Sequence, residues 1–124
     1  MTKSGKPAVR IYEYANCSTC KTALKFLERH QIAHVKLPIV DEPPSKSELK
    51  KMLSFYQGDL KKLFNTSGQV YREMGLGAKL STLTQDEALE LLAKNGKLIK
   101  RPFLLSSEGG LVGFREAEWQ KLLG

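Results

Sequence analysis

Residues 8–40 constrain the fold most, because they read as strand, helix, strand. Ala8-Val9-Arg10-Ile11-Tyr12-Glu13-Tyr14 alternates apolar and polar side chains and is rich in β-branched and aromatic types, the pattern of a first strand. Ala15-Asn16 turns the chain. From Ser18 the apolar residues Ala23, Leu24 and Leu27 follow helical spacing, with Phe26 on a neighbouring flank, until Arg29-His30. Ile32 to Val40 alternates again through Val35, Leu37 and Ile39, is broken by Pro38, and is closed by Pro43-Pro44, so a second strand is expected there. A β-α-β unit of this kind is normally parallel and right-handed.

The middle of the chain reads as helical. Ser45-Lys46-Ser47-Glu48 is a capping-box pattern, and Leu49, Met52, Leu53 and Tyr56 behind it form one stripe that stops at Gly58. A short helix over Asp59 to Phe64, the loop Asn65-Thr66-Ser67-Gly68, and a turn of helix from Tyr71 to Met74 before Gly75 and Gly77 follow. Thr84-Gln85-Asp86-Glu87 repeats the capping box and starts a helix with Ala88, Leu91 and Leu92 inward, ended by Asn95-Gly96. Phe103-Leu104-Leu105-Ser106 predicts a compact strand, Glu108-Gly109-Gly110 a hairpin turn, and Leu111-Val112-Gly113-Phe114 its partner strand. Arg115 to Gly124 reads as an amphipathic helix with Trp119, Leu122 and Leu123 on one side, Trp119 in the core. The expectation is one α/β domain over residues 1–124 with a four-stranded mixed sheet, a helical block inserted over about 45–97, and a loose tail at 1–7.

Cys17 and Cys20 are the chain's two cysteines, in a Cys17-Ser18-Thr19-Cys20 tetrad between the first strand and the first helix. A helix start presents unpaired N–H groups and the positive end of the macrodipole, which favours thiolate over thiol. Cys17 is therefore the expected attacking sulfur, and Cys20, three residues on along the same face, can reach back to close a disulfide. The loop so closed is too small to constrain the unfolded chain much, so a stabilising role explains the pair poorly.

Composition narrows the function. With 41% hydrophobic residues in 124, the chain can bury a core without structural disulfides or metals. The formal net charge of +7 raises nucleic acid as a partner, but lysines occur in pairs at most, Lys50-Lys51 and Lys61-Lys62, amid acids. A solvated surface explains them better, and no direct nucleic-acid binding is expected. The sequence contains no run long enough to span a membrane and no signal-peptide pattern at its start, so a cytoplasmic protein without membrane contact is expected.

Taken jointly, Asn16-Cys17-Ser18-Thr19-Cys20-Lys21, Glu42-Pro43-Pro44-Ser45, Leu63-Phe64-Asn65-Thr66-Ser67-Gly68, Tyr71-Arg72-Glu73, Lys100-Arg101-Pro102 and Val112-Gly113-Phe114 resemble the arsenate reductase and Spx family of glutaredoxin-like proteins. The resemblance runs from Val9 to about Leu123 and implies a thioredoxin fold. It implies a nucleophilic Cys17 and an oxyanion-binding Arg101 before a cis Pro102 placed across from the cysteines. It also implies recycling by an external thiol from glutathione, glutaredoxin or thioredoxin, with no bound cofactor. Two departures stand out: Cys20 occupies a position where the reductases have another residue, and Asn65-Thr66 stands where they carry a second oxyanion-binding arginine. Arg115 is the residue available near the last strand for a third. Spx-type members carry a CxxC that works as a redox switch and bind the RNA polymerase α subunit, and Gly58 falls where they have a contact glycine; a helix stop is the simpler reading of that glycine.

Zinc is the main rival for the cysteines. His30 and His34 follow them, but nine residues separate Cys20 from His30 where about twelve are usual in a zinc finger. Cys20 also begins the helix that His30 ends, about 15 Å apart at the helical rise. The expected site is thus redox: Cys17, Cys20 and Arg101 catalytic, with Asn16, Ser18, Thr19 and Pro102 around the substrate. The expected activity is thiol-disulfide oxidoreduction, on arsenate or a related oxyanion or disulfide; the alternative is an Spx-like redox regulator.

Overall fold

In the computed structural model, which describes residues 8–123, the alternating first segment is strand β1 (Val9–Glu13) and the cysteine segment opens helix α1 (Ser18–Arg29). Strand β2 (His34–Pro38) follows, then α2 (Lys46–Phe55), α3 (Gln69–Glu73), α4 (Leu76–Lys79) and α5 (Gln85–Lys94), with short 3-10 turns between them. Strands β3 (Phe103–Ser106) and β4 (Gly109–Val112) and helix α6 (Glu116–Leu123) complete the order. The tail at 1–7 and Gly124 lie outside the described residues.

The strands form a four-stranded sheet in the order β2-β1-β3-β4. β1 and β2 are parallel, Val9 opposite His34, while β3 runs antiparallel to β1, Tyr12 opposite Phe103, and β4 antiparallel to β3. This is the expected thioredoxin-like mixed sheet, β-α-β then β-β-α, with the helical block between its halves.

The chain divides into two compact units, one made of the residues up to Pro38 with those from Arg101 onward, the other Ile39–Lys100. In the first, Val9, Ile11 and Leu104 on one sheet face pack against Ala23, Phe26 and Leu27 of α1 and Trp119 of α6. Phe26, Phe114 and Trp119 meet edge to face, with ring centroids 5.0–6.0 Å apart. In the second unit both capping boxes form: Ser45 and Thr84 accept from the N–H groups of Glu48 and Glu87, whose carboxylates reach back to the cap N–H groups. Leu49, Met52 and Leu53 of α2 and Ala88, Leu89 and Leu92 of α5 are buried, so Leu89, not the half-buried Leu91, takes the inward position.

Three details differ from expectation. The second strand is five residues, not nine, and Val35 is 48% exposed while Ile39 is buried in the turn beyond it. As an edge strand with one neighbour, β2 tolerates Pro38 and leaves one face open. Gly109 and Gly110 belong to β4 rather than to the hairpin turn, which is Ser107-Glu108. Ser106 Oγ accepts the N–H groups of Glu108 and Gly109 and donates to the Gly109 carbonyl, so a serine supplies what a glycine turn was expected to supply. Gly77 lies within α4, and the break falls at Gly75, whose φ of 65° separates α3 from α4.

Candidate active site

β1 ends at Glu13, and Tyr14, Ala15 and Asn16 carry the chain from the end of this central strand into α1. The Cys17 N–H donates to the Tyr14 carbonyl at 3.0 Å, closing that turn. Cys17 then takes an extended backbone (φ −104°, ψ 111°) as the N-cap of α1, and its carbonyl accepts the Lys21 N–H. Its Sγ accepts the Cys20 N–H at 3.2 Å. A sulfur thus fills the place that serine or aspartate usually takes, satisfying one of the helix's orphan donors.

Both cysteines are free thiols, Cys17 half-buried and Cys20 fully buried. Burial pushes the Cys20 thiol up to about 12, and its side-chain bond with Cys17 adds to the rise; a backbone bond at Tyr14 and the charge of Arg101 pull weakly the other way. Burial thus favours the thiol form of Cys20.

The register sets Arg101. Because Phe103 stands opposite Tyr12, Pro102 and Arg101 precede β3 beside the end of β1, where the cysteine turn begins. The Arg101–Pro102 peptide bond is cis, as expected, and Arg101 is half-buried with its guanidinium carbon 4.8 Å from the centre of the Tyr14 ring. Pro102 is buried, and its carbonyl accepts the Gly113 N–H at 2.9 Å. Gly113 has φ of 73°, where a Cβ would be strained, and its own carbonyl accepts the Trp119 indole N–H at 3.0 Å. Asn16, Ser18 and Thr19 are exposed around Cys17, the last two contributing first-turn N–H groups. The structure therefore brings Cys17, Cys20, Asn16, Ser18 and Thr19 into one turn and ties Arg101 to it through Tyr14.

Three participants escaped the sequence reading. Tyr14 reads as the end of a strand, and its contact with Arg101 is a long-range event. Gly113 reads as a strand residue, although a glycine inside a strand pattern already signals irregular backbone. Trp119 is core as expected, and it also holds the Gly113 carbonyl. His30 caps the C-terminal end of α1 against Phe26 and His34 lies on the edge strand, and among the described residues no three His, Cys, Asp or Glu side chains converge as a metal site.

A thioredoxin-like sheet carrying a cysteine pair at its first strand-to-helix turn and a cis proline beside it defines a class of thiol proteins. Within that class the chain belongs to the ArsC family, whose model matches residues 12–122. Among curated relatives it is 45% identical to the uncharacterized protein YusI of Bacillus subtilis, covering 92% of this chain and 97% of that one. It is 30% identical to the regulatory protein MgsR of the same organism (90% and 87% covered), and 25% to the global transcriptional regulator Spx of Streptococcus agalactiae (93% and 82%). Among solved structures it is similar to an "ArsC family related protein" of Bacteroides fragilis (TM-score 0.88, 43% identity, 94% and 98% covered). An arsenate reductase of Vibrio cholerae is also similar (TM-score 0.79, 27% identity, 94% and 98% covered).

Proposed function

We propose that the chain is a cytoplasmic thiol-disulfide oxidoreductase in which Cys17 is the nucleophile and Cys20 the resolving thiol. The observation that carries this reading is the difference between the two sulfurs: Cys17 is half-buried and caps the helix, while Cys20 is fully buried, where desolvation favours the thiol.

With a disulfide substrate, the Cys17 thiolate attacks one sulfur and the other departs as a thiolate that takes up a proton. Cys20 then gives up its proton and attacks the Cys17 sulfur of the mixed disulfide, releasing the second thiol. Two electrons have moved, and the Cys17–Cys20 disulfide remains. With arsenate, the Cys17 sulfur displaces an oxygen of arsenic(V) as water. Attack by Cys20 on Cys17 then leaves the sulfur–arsenic electron pair on arsenic, which departs as arsenic(III). Arg101, with the N–H groups of Ser18 and Thr19 and the Asn16 and Pro102 surroundings, would hold the oxyanion. Two equivalents of external thiol, supplied by glutathione, glutaredoxin or thioredoxin, restore the dithiol.

A Cys20→Ser variant tests the order of events. It should stall with the substrate thiol attached to Cys17, visible as added mass, whereas Cys17→Ser should form no adduct. An adduct on Cys20 in the Cys17→Ser protein, at the wild-type rate, would reverse the assignment.

A second reading is supported by the relatives named as regulators. In it the same dithiol toggles affinity for the RNA polymerase α subunit, with the exposed Gly58 at the contact. Redox-dependent capture of that subunit, lost on substituting Gly58, would favour regulation over catalysis.

A further inference from the structure

We infer that Tyr14 is a positioning residue that holds the Arg101 guanidinium over the cysteine turn, an inference that rests on the oxidoreductase reading above. Two independent contacts meet in this residue. Its ring lies under the Arg101 guanidinium at 4.8 Å, and its carbonyl accepts the Cys17 N–H at 3.0 Å. One residue thus joins the segment before β3, which carries the cation, to the turn that carries Cys17.

The geometry matters for what the arginine can do. An unrestrained arginine side chain has several rotatable bonds, and ordering it on a ligand costs conformational entropy. A guanidinium held over an aromatic ring has already lost part of that freedom. Contact with the ring keeps the positive charge in place to attract an oxyanion or carboxylate. Tyr14, Arg101 and Cys17 are all half-buried. The contact depends on the ring alone, since the bond to Cys17 comes from the main chain and survives any substitution at 14. A purely structural role would be felt in folding, whereas a positioning role is felt in how strongly a negative reagent is preferred at Cys17.

The test compares the rates at which iodoacetate, an anion, and iodoacetamide, its neutral analogue, alkylate Cys17 in the reduced full-length chain, with the modified peptide located by mass spectrometry. The iodoacetate-to-iodoacetamide ratio should fall about three- to tenfold in Tyr14→Leu, a range set by the strength of a cation–π contact. It should stay near the wild-type value in Tyr14→Phe, which keeps the ring. Arg101→Gln should lower the ratio at least as far, and adding Tyr14→Leu to it should lower it no further, because both act through one cation. Circular dichroism and the urea midpoint exclude a folding defect, and Tyr14→Phe serves if Tyr14→Leu fails to fold, since its ratio must then match wild type. An unchanged ratio in folded Tyr14→Leu, or additive losses in the double variant, overturns the proposal. If instead Cys17 reacts no faster than a free cysteine peptide in any of these proteins, the oxidoreductase reading itself fails.

Discussion

Burial of the Cys20 sulfur gives the chain's stability a pH-dependent contribution. In the unfolded chain a cysteine thiol ionises near ~8.5, whereas in the fold burial and the Cys17 bond push it up to about 12. Between those limits the native chain holds a proton that the unfolded chain has released, so stability falls as pH rises. The contribution is complete below the unfolded value and is lost progressively towards the folded one. Under strong reductant, the urea midpoint of the wild-type chain should therefore drop more from about pH 8 to about pH 10 than that of Cys20→Ala. Equal slopes would mean that the thiol is not held protonated. The place of Cys17 and Cys20 at the start of α1 was legible without coordinates, because a helix start after a strand marks the capping residue and the next turn marks its neighbour. Tyr14 was not legible. Its ring meets Arg101 across 87 residues of sequence (101 − 14), and alternation says which face a side chain takes, not which cation lies there.

At the level of elements, the connection from Pro102 to α6 matters more than any single helix. The Pro102 carbonyl accepts the Gly113 N–H, and the Gly113 carbonyl accepts the Trp119 indole, so the segment beside the cysteine turn is fastened to a fully buried ring. Trp119→Phe keeps most of the apolar contact and removes the indole donor. A cost of about 1–3 kcal/mol in urea unfolding is expected from leaving a buried carbonyl without its partner. A loss of only a few tenths would mean that the carbonyl finds another donor. The elements themselves were largely readable: both capping boxes, the start of α1 and the hairpin pair follow from local chemistry. Their limits were less so. β2 is shorter than its alternation because pairing with β1 ends at Pro38, and the hairpin turns at Ser107-Glu108 because the Ser106 hydroxyl satisfies the turn donors.

For the whole molecule, the cysteine site belongs to one compact unit and Gly58, at the end of α2, to the other. Its φ is 80°, its N–H donates to the Leu53 carbonyl, and a Cβ there would meet nothing within 4 Å. Asparagine tolerates that backbone, so Gly58→Asn should leave disulfide turnover within about twofold of wild type, as expected of an exposed position. A larger loss would make this helix end part of the catalytic surface. Sequence alone determined the order of elements, the four-stranded sheet and the cysteine pair at a helix start, because periodicity, capping and turn chemistry act over a few neighbouring residues. The tertiary structure alone decided which sulfur is buried, what lies under Arg101, and what anchors the strand beside it. Those depend on atoms far apart in sequence that only packing brings within reach.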